Sequence, residues 1–171
     1  MSISVINPFR FIISGAADGI NRIPAMTGAT TSGVTISCSS PNGASGYEPW
    51  RGANQVNGDS FFNGAVNTAY TWTVDFGSGN SWIIRSYTMT EAHSAEYLGG
   101  GRHPTGWTFE ASNDGSSWTA LDTKSGQTTV SANNKKTFPI SNTTAYRYYR
   151  FSVAALSNGN VAGWAEVEFC T

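Results

Sequence analysis

From Val34 to Thr171 the chain is a succession of short runs in which apolar and polar residues alternate, and nothing in it sustains a helical period for three turns. The runs are Val34–Ser39, Tyr70–Phe76, Trp82–Thr90, Trp107–Ala111, Trp118–Asp122, Lys136–Ile140, Tyr146–Val153 and Ala165–Phe169. They are rich in β-branched and aromatic residues, and Gly, Asn, Asp or Ser bounds them. A period of two turns one face of each strand to a core and the other to water. Many short strands without helices imply an antiparallel sandwich or barrel.

The bulk numbers narrow the function. At 171 residues there is room for one domain with a real core and an appendage. The net charge is -1 and 12% of residues are charged, which excludes a broad basic field for nucleic acid. The 6 Trp and 7 Tyr, set among Gly, Ser, Thr and Asn, suit a surface-exposed binding protein, although most of these aromatics serve a sandwich core first. No run approaches the roughly 20 apolar residues of a membrane helix.

Residues 1–33 read as an extended arm followed by a linker, and residues 34–171 as the β-sandwich. The arm carries Ile3, Val5, Ile6, Phe9, Phe11, Ile12 and Ile13, too apolar for a free tail and suited to adding a strand or filling a groove on a partner. Its start is not basic, and Asn7-Pro8 and Arg10 interrupt it, so it does not read as a secretory signal. The chain is then cytoplasmic, processed, or released by another route such as lysis. Residues 14–33, rich in Gly, Ala and Thr, read as a loosely packed linker. Cys38 and Cys170 have no zinc or redox spacing. Either they meet across neighbouring first and last strands, or they stay as two free buried thiols.

The stretch Trp107-Thr-Phe-Glu-Ala-Ser-Asn-Asp-Gly-Ser-Ser-Trp118 decides between readings. Trp107, Phe109 and Ala111 face one way, and Thr108 and Glu110 the other. Asn113, Asp114 and Gly115 tolerate left-handed backbone, so Ser112–Gly115 reads as a hairpin turn rather than a binding loop.

Four segments together resemble the discoidin family, the coagulation-factor C-type domains that include the family 32 carbohydrate-binding modules. They are Trp72-Thr-Val-Asp-Phe-Gly77, Pro104-Thr-Gly-Trp107 through Ser112-Asn-Asp-Gly-Ser-Ser-Trp118, Tyr146-Arg-Tyr-Tyr-Arg-Phe-Ser-Val153 and Ala165-Glu-Val-Glu-Phe169. The resemblance implies an eight-stranded, jelly-roll-like, galactose-binding-like β-sandwich. It also implies adjacent chain ends, which favours Cys38 lying near Cys170. Many members hold one structural calcium, and the matching positions here are Asn57, Asp59 and Glu166 with the backbone of Val56 and Ala165. The match departs from the family pattern: Asn57 stands where a carboxylate is usual, and Phe62 where a hydroxyl is. Calcium prefers about six to eight oxygens, so these losses weaken the site.

Family members bind with loops at one end of the sandwich. The longest such loop here, Thr90–His103, holds Glu91, His93, Tyr97, Arg102 and His103 beside Gly99-Gly-Gly101. Tyr97 offers an aromatic face for a sugar ring, and the charged and imidazole groups offer planar donors and acceptors. Trp50, Asn158 and Trp164 come from neighbouring loops. Each has a plainer reading: Arg102 salt-bridges Glu91 or Glu96, and Trp164 belongs to the core. No zinc motif or nucleophile elbow occurs, so a non-enzymatic module is expected. The leading function is a carbohydrate-binding module that meets cell-surface glycans in multimeric display. A virion is the expected location, because an exported fold without a signal fits a tailed-phage structural protein docked through residues 1–13. The alternative is a virion decoration or adaptor protein with no sugar binding. Tyr97 and Leu98 beside the glycines would be the spike of a membrane-surface reading.

Overall fold

The computed structural model describes residues 19–56, 58–66, 68–92, 102–128, 134–156 and 161–171. In chain order these form β1 (Thr30–Thr31), β2 (Val34–Cys38), a 3-10 helix (Pro49–Ala53), β3 (Phe61–Phe62), β4 (Tyr70–Asp75), β5 (Ser86–Thr90), β6 (Pro104–Ser112), β7 (Thr119–Lys124), β8 (Lys135–Pro139), β9 (Tyr148–Leu156), β10 (Gly163–Trp164) and β11 (Glu166–Cys170). One sheet runs β1-β2-β4-β9-β6-β7, a second runs β11-β5-β8, and β10 pairs with β3. Every pairing is antiparallel. The chain is the all-β sandwich expected from its alternating runs.

The two sheets close on aromatic rings. Trp72, Phe109, Tyr149, Phe151 and Phe169 are fully buried. Phe109 of β6 lies 4.6 Å from Tyr87 of β5 and 5.1 Å from Phe169 of β11, centroid to centroid. Each such ring removed from water stabilises the fold by about 1.5–3 kcal/mol. A polar chain runs through this layer: Trp107 Nε1 donates to Tyr87 Oη at 2.9 Å, and Tyr87 Oη donates to Asp122 at 2.8 Å. Opposite the core, one cross-strand row reads Ser37, Thr73, Arg150, Glu110. Arg150 pairs with Glu110 at 2.6 Å and stacks 3.9 Å from the Trp118 ring, so Trp118 belongs to the outer face.

Ser112–Gly115 is indeed a turn. The Ser112 hydroxyl accepts from the Gly115 amide at 2.9 Å, and Asp114 Oδ1 accepts from the Ser116 and Ser117 amides, both at 2.7 Å. Gly115 takes a positive φ of 72°, which its missing Cβ permits. Asn113 also ties the turn to the start of β9, through Ala145 O and the Arg147 amide.

One expectation differs from the structure, and one open alternative is decided. Within the supposed loose linker, Ile23 and Met26 are core residues, and Asn21 bridges to Cys170 of β11. The Arg22 amide donates to Phe169 O at 2.8 Å, so this segment covers the free edge of β11. The cysteines are not joined in a disulfide: Cys38 ends β2 in one sheet, and Cys170 ends β11 in the other. Residues 19–22 lie against the end of β11, whereas Cys38 sits in the other sheet. Residues 1–18, the whole apolar arm, lie outside the described residues.

Candidate functional site

Registers bring one set of strand ends together. Tyr70 lies opposite Val153, and Val153 opposite Trp107; Glu166 lies opposite Thr90, and Thr90 opposite Lys135. β10 is drawn into this end by Tyr70 Oη donating to Ala162 O, and by Asn63 accepting from the Ala162 amide at 2.7 Å. Gly163 must be glycine, because a Cβ there would stand 1.7 Å from Phe61 O.

A cavity opens between β5, β6, β8 and β10. Its walls are Met89, Pro104, Trp107, Phe138, Gly163 and Trp164, and its polar lining is Glu91, His103, Gln127, Thr128 and Lys136. Its internal volume is about 20 Å³, which suits one ordered water or one small substituent of a ligand. Glu91 is 8% exposed. Its Oε1 accepts from Lys136 Nζ at 3.0 Å, while its buried Oε2 has no hydrogen-bond partner among the described residues. Burial holds the His103 imidazole below its ordinary range; Glu91 pulls it the other way and Lys136 adds to the depression. The lining therefore offers a carboxylate acceptor, a neutral imidazole and an ammonium against apolar walls. That combination receives hydroxyl or amide groups carried on an apolar frame.

The structure sorts the expected residues. Glu91, His103 and Trp164 meet at this cavity. Glu91 pairs with Lys136, not with Arg102. Arg102 lies at the same end, where its backbone oxygen accepts from the Gly163 amide. Trp164 is fully buried among Phe61, Tyr70, Trp72 and Phe151, so it walls the cavity and has no free face for a sugar ring. Trp50 packs half-buried against the core, with the Arg51 guanidinium 4.7 Å over its ring, and is not part of the cavity. His93, Tyr97 and Asn158 lie outside the described residues. Lys136, Gln127 and Thr128 escaped the sequence reading; they sit in or beside an ordinary strand, and no local pattern marks them.

The calcium positions do not assemble a calcium cage. Asp59 Oδ2 accepts from Arg51 at 2.6 Å and from Asn54 at 2.7 Å. Phe62, at the hydroxyl position, is buried and edge-on to Tyr47. Glu166 is buried; its Oε2 accepts from the Gln55 amide at 2.7 Å, and its Oε1 has no hydrogen-bond partner among the described residues. Burial pushes the Glu166 carboxyl up to about 7. Among the described residues no three His, Cys, Asp or Glu side chains converge. A guanidinium already faces the loop's carboxylate, so the described donors do not fit a calcium ion. Asn57 lies outside the described residues.

The F5/8 type C domain pattern matches residues 35–167. The chain belongs to the F5/8 type C domain family. No curated protein sequence matches it. Its fold is shared with solved carbohydrate-binding modules. The family 32 module of Clostridium perfringens NanJ, in complex with galactose, superposes with a TM-score of 0.66 at 15% identity, covering 88% of this chain and 98% of that one. The C. perfringens module CpGH89CBM32-5, in complex with GalNAc-β-1,3-galactose, gives 0.65 at 13% identity over 80% and 94%. The family 32 module of AlyQ, in complex with 4,5-unsaturated mannuronic acid, gives 0.58 at 18% identity over 79% and 92%. At these identities the likeness establishes the fold.

Proposed function

We propose that this F5/8 type C domain is a non-catalytic carbohydrate-binding module for cell-surface glycans. The observation that carries this reading is the cavity at the loop end of the sandwich. There Glu91, whose buried Oε2 has no hydrogen-bond partner among the described residues, lines the cavity with His103, Lys136 and apolar walls. Sugars carry that mixture: hydroxyl donors on a ring with an apolar face. The solved modules of the same fold support the reading, because three of them are held in complex with sugars. One such site binds weakly, and display in several copies raises the avidity.

A glycan array, run with and without calcium, tests the reading. Binding is expected to survive calcium removal and to fall at least about tenfold in Glu91→Gln and in His93→Ala with Arg102→Ala, the loss of one or two hydrogen bonds to charged groups. An array without hits, together with unchanged cell binding by these variants, overturns it. The location we propose is a phage virion, reached through the arm. It is motivated by the apolar residues between Ile3 and Ile13, which a partner must cover. Deleting residues 2–13 is expected to abolish assembly into particles and to spare sugar binding. Normal incorporation of the truncated chain refutes that role.

A further inference from the structure

We propose that Arg51 does in this domain the work of a structural metal ion, so that the Glu48–Asp59 loop and its link to the last strand are independent of calcium. A metal in such a loop does two things: it draws oxygens from separate stretches to one positive centre, and it ties the loop to a neighbouring strand. Protein groups do both here. The Arg51 guanidinium donates through Nη1 to Asp59 at 2.6 Å and through Nε to Glu48, joining carboxylates eight and three residues away on opposite sides in sequence. Asn54 adds its amide to the same Asp59 oxygen, and its own oxygen accepts from the Val56 amide at 3.0 Å. The Val56 carbonyl, a backbone oxygen that a metal would need, accepts from the Asp59 amide at 3.0 Å. The second task falls to Glu166. Its carboxylate takes the Gln55 amide at 2.7 Å, where Gln55 holds a positive φ of 61°, and so fastens the loop to β11.

Chemistry explains why arginine suits this place. A guanidinium presents several donors in one rigid plane, and can serve two carboxylates at once where lysine offers a single point charge. The Arg51 side chain is 23% exposed, and its partners Glu48 and Asp59 34% and 30%, so the network is shielded but not sealed. The same guanidinium lies over Trp50 and holds that ring against the core. A divalent ion entering beside Asp59 would meet this fixed positive charge and would have to displace it.

Calorimetric titration of calcium and thermal unfolding, each on the whole chain, test the proposal without reference to sugar. Wild type is expected to give no binding heat and the same Tm in calcium and in chelator. Arg51→Met is expected to lose roughly 3–8 °C of Tm, and Arg51→Lys to recover less than half of that. A calcium-dependent rise in the Tm of wild type overturns the proposal, and so does an Arg51→Met protein as stable as wild type. Should Arg51→Met not fold, Asp59→Asn keeps the shape and removes the charge; an undiminished Tm in that variant also overturns it.

Discussion

Replacing Tyr87 by Phe removes one oxygen from the middle of the sandwich and two hydrogen bonds with it. The ring keeps its place between Phe109 and Phe138, at 4.6 and 4.9 Å, so apolar packing is nearly unchanged. What changes is polar. Trp107 is 4% exposed, and its indole N–H loses its acceptor at 2.9 Å. A buried donor left unpaired costs about 1–3 kcal/mol. The bond from Tyr87 to Asp122 also goes, but Asp122 keeps Lys124 at 2.9 Å, so that loss sits at the low end for a charged acceptor. The sum is about 2–4 kcal/mol, or roughly 5–15 °C in Tm for a domain of this size. Burial, with Asp122 adding to it, pushes the Tyr87 hydroxyl far above its ordinary value, so that hydroxyl keeps its proton and the loss is expected to be the same from about pH 5 to about pH 9. Because Trp107 floors the cavity, the variant is also expected to bind glycan more weakly. Urea unfolding of Tyr87→Phe, Trp107→Phe and the double variant measures the coupling directly. A Tyr87→Phe loss below about 0.5 kcal/mol refutes the argument, since it would mean that the indole N–H needs no acceptor.

Two further outcomes follow from other parts of the molecule. Three donors, first the amides of Ser117 and Ser116 and then the Ser112 hydroxyl, hold Asp114 well below the usual carboxylate range. Its contribution is therefore present above the ordinary carboxylate value of 3.8 and is lost as pH falls through the lower folded value. Asp114→Ala is expected to melt a few degrees below wild type near neutral pH, with the gap narrowing steadily as pH falls below about 4; a gap that does not change with pH contradicts this. With no disulfide between Cys38 and Cys170, a reductant is expected to leave Tm unchanged, and alkylation after denaturation without reductant to modify both cysteines. In the folded chain Cys38 is expected to react slowly, because burial pushes its thiol up to about 11. A mass shift of two hydrogens on reduction would show that the cysteines are paired after all.

The strands were legible because their cause is local. In Tyr70-Thr-Trp-Thr-Val-Asp75 the alternation itself states which side chains face the core, and the structure buries Tyr70, Trp72 and Val74 accordingly. The two-residue strands β3 and β10 carry no such pattern. Phe61–Phe62 is a strand only because Gly163–Trp164 lies against it, about a hundred residues on. Ile23 and Met26 were hidden for a related reason: single apolar residues among Gly, Ala and Thr have no period, and they are core only because Arg22 docks on β11 and the Met26 amide donates to Ala53 O. Trp164 shows the opposite failure. An aromatic in a Gly- and Asn-rich loop has the look of a ligand platform, but four buried rings surround it.

The site divides along the same line. Residue types that suit a sugar could be read from Thr90–His103, and two of them, Glu91 and His103, do reach the cavity. Which groups they act with could not be read, because Glu91 finds Lys136 45 residues away. The calcium loop makes the point most sharply. Asp59 matches a metal-binding pattern by its own chemistry, since a carboxylate is what a hard cation prefers. Whether it binds one depends on what already faces it. Arg51 lies outside any such pattern, and nothing in its neighbours announces a bridge. The fold of Pro49–Ala53 into a 3-10 turn puts the guanidinium between Glu48 and Asp59, and that placement turns an apparent ligand into half of an ion pair. A motif in this family therefore tests for a donor, whereas the metal requires a donor with no cation of its own. The residue to inspect when transferring a metal site between relatives is the one that can reach the ligand from the other side.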